Sequence, residues 1–257
     1  RLQQNRPVQF QYPRRIPCAT VCSPCPSFPH RHGAAEIMAD NLQERLYQRI
    51  REGLLAGRFQ PGERLKIRDL AAQWGTSPMP VRAALQRLVA EGALEGEPQR
   101  SVRVPLMARE RYQNIFQVRL GLEGLAVELA TPHLTPADMA ELRDCVQRMD
   151  LAIEQRQVQD YLEANSRFHL HLYGACGNPV LLRSIESLWL QIGPFFNRLF
   201  TGADLSLRLN DFHEEAFAAI EAGDAKAARK AMEQDLIYFA RFLLNLLELE
   251  GTQPRGR

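Results

Sequence analysis

The chain has 257 residues, 45% of them hydrophobic and 24% charged, with a formal net charge of +2. That length is enough for two modest domains with real cores, and no apolar run approaches the length of a membrane span, which excludes a helical integral membrane protein. The total charge says little, but its distribution says more. Residues 1–37 carry five Arg and one Glu, residues 38–105 carry eleven Lys/Arg against eight Asp/Glu, and residues 106–257 carry sixteen against twenty-one. A basic N-terminal part followed by an acidic C-terminal one fits a DNA-binding module joined to a module that binds something else.

Residues 1–37 are rich in Pro, Arg and Cys and show no hydrophobic period. They hold no continuous apolar core of a secretory signal, so a disordered extension is expected there, with Met38 read as the natural start. Cys18, Cys22 and Cys25 have a spacing that iron–sulfur sites of radical enzymes also use, but no barrel-like strand pattern follows them. Cys145 and Cys176 fall in expected helices and read as reduced packing residues of a cytoplasmic protein.

Residues 38–105 read as one unit. Leu46, Ile50, Leu54 and Leu55 mark an amphipathic helix. A second helix is expected over Ile67–Trp74, and Gly75-Thr76-Ser77-Pro78 breaks it. Ser77 then caps a third helix, with Pro78 at its first position, where a missing N–H costs nothing. Val81, Leu85, Leu88 and Val89 form its core stripe, and Arg82, Gln86 and Arg87 lie opposite. Two short helices about a turn, with basic and polar residues near the start of the second, make a helix-turn-helix. The stretch from Leu94 to Val104 reads as strand, turn and strand, the wing of a winged helix.

Three pieces of this run resemble the N-terminal domain of the GntR superfamily of bacterial transcription regulators. They are I-x3-L-x-G-x3-P-G-E-x-L from Ile50 to Leu65, then R-D-L-A, then S-P-M-P-V-R-A-A-L-x-R-L-x-x-E-G. The resemblance implies DNA contact by Arg68, Arg82, Gln86 and Arg100, with Ser77, Pro78 and Met79 facing the groove at the start of the recognition helix. Family members often carry Arg, Thr or Ser where this chain has Pro78, Met79 and Pro80. Readout here would rest on fewer polar contacts plus apolar contact with thymine methyls. In the wing, Ser101 stands where the family usually has Gly.

From residue 106 to about 250 the pattern is helical, with no strand-like alternation. Ile115, Val118, Leu122, Leu125 and Leu129 make the first stripe, and Arg119 and Glu123 are spaced to pair on one face. Thr135-Pro136 opens a second helix with Met139, Leu142, Val146 and Met149 inward. Further helices are expected over 157–173, 179 to about 200, 205–222 and 225–249, and residues 251–257 form a tail. The fold class is therefore mainly α: an N-terminal winged helix-turn-helix, then an all-α bundle of six or seven helices.

The bundle resembles the FCD effector-binding domain of the FadR branch. The matching pieces are F-H-x-x-L-Y-x-A-x-G-N-P-x-L-L from Phe168 to Leu182, and H-x6-I-x3-D with A-x3-M from His213 to Met232. The resemblance implies a divalent metal inside the bundle, held at positions that are Asn165, His169, His213 and Asp235 here. The family's usual set is one Asp and three His, so a carboxylate has become an amide and the last imidazole a carboxylate. Zinc accepts His and carboxylate ligands, and Mn, Fe or Ni remain open with added waters. Arg119, His169 and His213 would then receive a small carboxylate effector, the planar guanidinium of Arg119 suiting bidentate capture. By residue type alone, a lone His on a helix such as His169 or His213 is more often structural than a ligand. His171, His133 and Asn178 read as structural, surface and capping residues.

The expectation is a cytoplasmic homodimeric repressor, not an enzyme, that binds a near-palindromic operator in double-stranded DNA and responds to a small organic acid. Two rivals stay open. Two His and one carboxylate also form the ligand set of non-haem iron oxygenases, and the exchange at Asn165 and Asp235 would equally suit a DNA-binding protein whose effector site has lost its function.

Overall fold

The computed structural model describes residues 34–97, 101–200 and 210–252. The N-terminal part contains α1 (Ala34–Leu55), β1 (Arg64–Lys66), α2 (Ile67–Gln73), α3 (Pro78–Ala90), β2 (Glu95–Glu97) and β3 (Ser101–Arg103). Ser77 sits at the N-cap of α3 with Pro78 next, though the Ser77 side chain makes no capping hydrogen bond. Buried Val81, Ala84, Leu85 and Leu88 of α3 pack on Leu46, Ile50 and Leu54 of α1. The three strands form an antiparallel sheet in the order β1-β3-β2, with Val102 opposite both Leu65 and Gly96. Strand β1 has no counterpart in the sequence reading. It is three residues long and only Leu65 points inward, too little for a visible alternation.

The C-terminal part is α4 (Arg109–Ala130), α5 (Pro136–Glu154), α6 (Val158–Gly174), α7 (Pro179–Phe196), α8 (Asp211–Glu221) and α9 (Ala225–Thr252). A capping box between Thr135 and Asp138 starts α5, and the Asn178 side chain accepts from the amides of Val180 and Leu181 to start α7. Helix α4 packs along α9, α5 along α6, and α8 on α9. None of the described helices is long and apolar enough to cross a membrane.

Three details differ from expectation. The fourth bundle helix ends at Phe196, and Asn197–Phe200 is a 3-10 turn. The fifth begins at Asp211, and residues 201–209, where an earlier start was expected, lie outside the described residues. The inward face of α4 is also rotated: Val118 and Leu125 are exposed, while Tyr112, Ile115, Arg119, Glu123 and Val127 are buried. Two charged residues, Arg119 and Glu123, take the inward face because they satisfy each other, and Arg119 also lines an internal cavity.

The two parts meet where α1 lies on α7. Gly193 abuts the end of α1 so closely that a Cβ there would sit 3.0 Å from the Leu54 carbonyl carbon and closer still to its oxygen. Gly57 faces back with φ +64, and a Cβ on it would lie 3.1 Å from the Gly193 carbonyl oxygen. Arg51 pairs with Glu186 at 2.9 Å, and the Gln159 amide donates to the Ala56 carbonyl at 2.8 Å. Gly193→Ala should therefore force the helices apart and destabilise the fold by about 1–3 kcal/mol. A thermal melt reads this, and an unchanged midpoint would show that α1 and α7 do not touch in solution.

Candidate functional site

On the N-terminal part, Lys66, Arg68, Pro78, Arg82 and Ser101 ring an open hollow between α2, α3 and the wing. Arg68, Ser77, Pro78 and Gln86 are exposed, and Met79 is 68% exposed at the tip of α3. An apolar side chain this open at a helix N-terminus is of the kind that can contact a thymine methyl. Arg87 is committed elsewhere: it stacks 3.6 Å over the Tyr47 ring and bonds to Glu44 and Glu91. Arg100 lies outside the described residues. Lys66 is an addition, from the strand the sequence reading did not see.

The second site is inside the bundle. Tyr161, Asn165, His169 and Tyr173 recur every four residues and share one face of α6. Helix α4 adds Arg119 and Glu123, α7 adds Trp189 and Phe196, α8 adds His213, and α9 adds Asp235 and Phe239. Arg119, Tyr161, Asn165, His169, Trp189 and Asp235 line a cavity of about 20 Å³, closed on its apolar side by Leu162, Phe196, Leu236 and Phe239. That is room for a water molecule.

The ring Nε2 atoms of His169 and His213 face each other at 3.1 Å. The Asp235 carboxylate reaches to 3.5 Å from the first and 4.0 Å from the second. All three side chains are buried, and Asp235 Oδ1 has no hydrogen-bond partner among the described residues. On the other side, His169 Nδ1 lies 2.8 Å from the Tyr173 hydroxyl, which donates to Glu123 at 2.7 Å. Arg119 donates to both oxygens of Glu123, at 2.5 and 3.3 Å, and its guanidinium sits 5.0 Å from the Trp189 ring centre.

Burial dominates the electrostatics here. It holds the His169 imidazole well below its ordinary value, helped by His213 and the Arg119 charge, so the ring is neutral. Burial and then Glu123 push the Tyr173 phenol well up. Burial lifts Asp235 to about 8 although Arg119 opposes the shift. A neutral imidazole, a second ring nitrogen facing it and a carboxylate oxygen without a donor form a donor set that suits a dication. The residues present therefore fit a divalent metal, with His169, His213 and Asp235 as the convergent three.

Asn165 lies one turn before His169 and lines the same cavity, so the structure brings all four expected ligand positions to one place. It brings Arg119 there too, already paired with Glu123. His171 bonds to Asp138, and His133 is exposed and bonds to the Leu129 carbonyl. Sequence reasoning missed Tyr173, Tyr161, Trp189 and Phe239. Tyr173 carried a usable signal, since it stands one turn after His169 on the same face.

A winged helix followed by a helical bundle with a buried His–His–Asp cluster defines a DNA-binding protein with an appended sensory-type domain. Residues 42–104 match the family of bacterial regulatory proteins, gntR family, and residues 114–237 match the FCD domain. The chain is 31% identical over 205 residues to the transcriptional regulator McbR of Escherichia coli (strain K12), covering 79% of this chain and 92% of that one. It is 23% identical over 195 residues to the transcriptional repressor RspR of the same organism, covering 76% of this chain and 86% of RspR. The structure of E. coli McbR/YncC superposes with a TM-score of 0.74 at 30% identity, covering 80% of this chain and 98% of that one. A GntR-type regulator from Rhodococcus sp. RHA1 shares the fold, with a TM-score of 0.66 at 21% identity and coverage of 80% and 98%. The chain belongs to the GntR family of DNA-binding bacterial transcription regulators and carries an FCD domain.

The raised Asp235 value has a consequence for the metal-free protein. The fold holds a proton that the unfolded chain releases above its ordinary value near 3.8, so this group costs stability as pH rises from about 4 to about 8. Asp235→Asn should remove a slope of up to about 1.4 kcal/mol per pH unit. With chelator present, the variant should melt above the wild type at pH 8 and approach it at pH 5. Parallel melting curves at both pH values would show that burial does not raise Asp235.

Proposed function

We propose that this regulator binds a near-palindromic operator as a homodimer, that it represses, and that a small organic acid relieves the repression through a metal held in the bundle. The observation that carries the sensing reading is the meeting of His169, His213 and Asp235 around one point, with Asn165 and Arg119 in the same cavity. Those residues would hold a divalent ion, with zinc the first candidate for two imidazoles and a carboxylate. The ion would supply a positive centre able to bind a carboxylate. Arg119 adds fixed positive charge to the same wall, although Glu123 already takes two of its N–H groups.

The cavity as it stands is too small for an organic acid, so entry requires a wall to yield. Helix α7 supplies Trp189 and Phe196 to that wall and presses Gly193 on the end of α1. An effector that displaced α7 would shift the placement of the winged helix, favouring one arrangement of the two DNA modules over another. Repression is the reading that RspR, a repressor, lends to this chain. Two His and one carboxylate also favour iron-oxygenase chemistry in principle. The regulator relatives weigh against it.

Selection of genomic DNA fragments on the purified protein, read by sequencing, tests the operator reading: a recurring palindrome is expected. On that operator, Arg82→Ala should cost about 1–3 kcal/mol if its guanidinium reads a base. No enriched sequence at low salt, or an unchanged affinity for the variant, would count against this assignment.

His213→Ala should lower bound zinc, measured by elemental analysis after dialysis, and leave the apo protein's affinity for the operator intact. Metal content at the wild-type level would end the ligand assignment.

A further inference from the structure

We infer that Tyr173, held by Glu123, is a positioning residue that fixes the tautomer of His169 so that Nε2 presents its lone pair to the point where His213 and Asp235 converge. The inference rests on the metal reading above and goes beyond it to residues outside the ligand set.

Tyr173 has a single O–H, and the acceptor 2.7 Å away is an oxygen of Glu123. Glu123 is paired with Arg119 through both its oxygens, so as a carboxylate it has nothing to donate. The Tyr173 proton is therefore spent on Glu123. His169 Nδ1, 2.8 Å from the same hydroxyl oxygen, must be the donor in that contact. A neutral imidazole that donates from Nδ1 accepts at Nε2, and Nε2 is the atom that faces His213 and Asp235. The more common tautomer of a free histidine, with the proton on Nε2, would aim a hydrogen at the centre instead. It would also leave Nδ1 against a hydroxyl oxygen with no proton to share.

The chain Arg119–Glu123–Tyr173–His169 runs through buried side chains of α4 and α6. Each member is fixed on two sides, which holds ring orientation as well as tautomer. Partners of this kind behind a ligating histidine typically change metal affinity by about 10–100-fold when removed. The tyrosine makes the carboxylate's influence indirect: a hydroxyl passes the acceptor character of Glu123 on to Nδ1.

Two measurements on the full chain test this, with zinc as the probe. First, the two-bond ¹⁵N–¹H pattern of the metal-free wild type, labelled at histidine, reports each ring's tautomer, and a His169→Gln variant assigns the signal. The expected result is a proton on Nδ1 of His169, and a proton on Nε2 overturns the proposal. Second, chelator competition compares zinc affinity of the wild type with Tyr173→Phe, which keeps the ring and loses the hydroxyl. A loss of about 10–100-fold, together with a shift of His169 towards the Nε2–H form, supports the positioning role. Affinity equal to the wild type overturns it. If the wild type binds no zinc while its His169 carries the proton on Nδ1, the metal reading has failed and the relay stands. The tautomer measurement needs no variant other than the one for assignment, so misfolding of Tyr173→Phe would not protect the proposal.

Discussion

The buried ion pair between Arg119 and Glu123 is the interaction on which the bundle's interior depends. Both side chains are almost fully withdrawn from water, at 3% and 0% residue exposure. Taking two charges out of water costs several kcal/mol each, and a lone pair in that position rarely repays the cost. Here the cost is offset by further contacts. Glu123 accepts from Arg119 twice and from Tyr173 once, and the guanidinium lies near the Trp189 and Phe196 rings, where cation–π attraction adds to the Coulomb term. A network so closely satisfied has few alternative arrangements, which is what a ligand centre needs from its surroundings.

Opposite this satisfied half stands a half that is not. Among the described residues, Asp235 has an oxygen with no hydrogen-bond partner, and two ring nitrogens face each other beside it. The contrast has a physical meaning. Three side chains, Arg119, Glu123 and Tyr173, fix one imidazole from behind and turn its other nitrogen to the less satisfied side. Helix α7 connects that asymmetry to the DNA end. Trp189 and Phe196 lie on either side of Gly193, so the residues that close the cavity and the residue that touches α1 belong to one helix. Backbone against backbone leaves no soft side chain to absorb a displacement, so a movement of α7 must be taken up by α1.

Legibility in the sequence followed the physical kind of signal. The winged helix was readable because its determinants are local: Ser77 and Pro78 mark a helix start, and Val81, Leu85 and Leu88 keep helical period. The gathering of His169, His213 and Asp235 came from the family resemblance, since no spacing within one helix places α6, α8 and α9 side chains together. Reading α4 from its apolar residues put Val118 and Leu125 on the inward face. The resemblance alone turned Arg119 inward; the apolar pattern did not, and in this helix the pair of charges is part of the interior. The contact of α1 with α7 could not be read from periodicity. Gly193-Pro194 within an apolar helix was the trace it left, because such a pair gives up helix propensity where backbone must come close.

The exchange of ligand types that the family resemblance implies between α6 and α9 would change which helix bears the cost of a centre without its ion. With Asn165 on α6 and Asp235 on α9, the only carboxylate among the four positions belongs to the last described helix, which packs on both α4 and α8. A neutral imidazole at that place would lose little when buried without a partner, whereas a carboxylate loses much. An ion that bound the folded form would then stabilise it by mass action and would do so mainly by relieving α9. The same ion would tie α6, α8 and α9 to one point. The metal would thus be a structural member of the bundle as well as a place for an effector to attach, and α7, which supplies none of the four, would be left as the wall free to move.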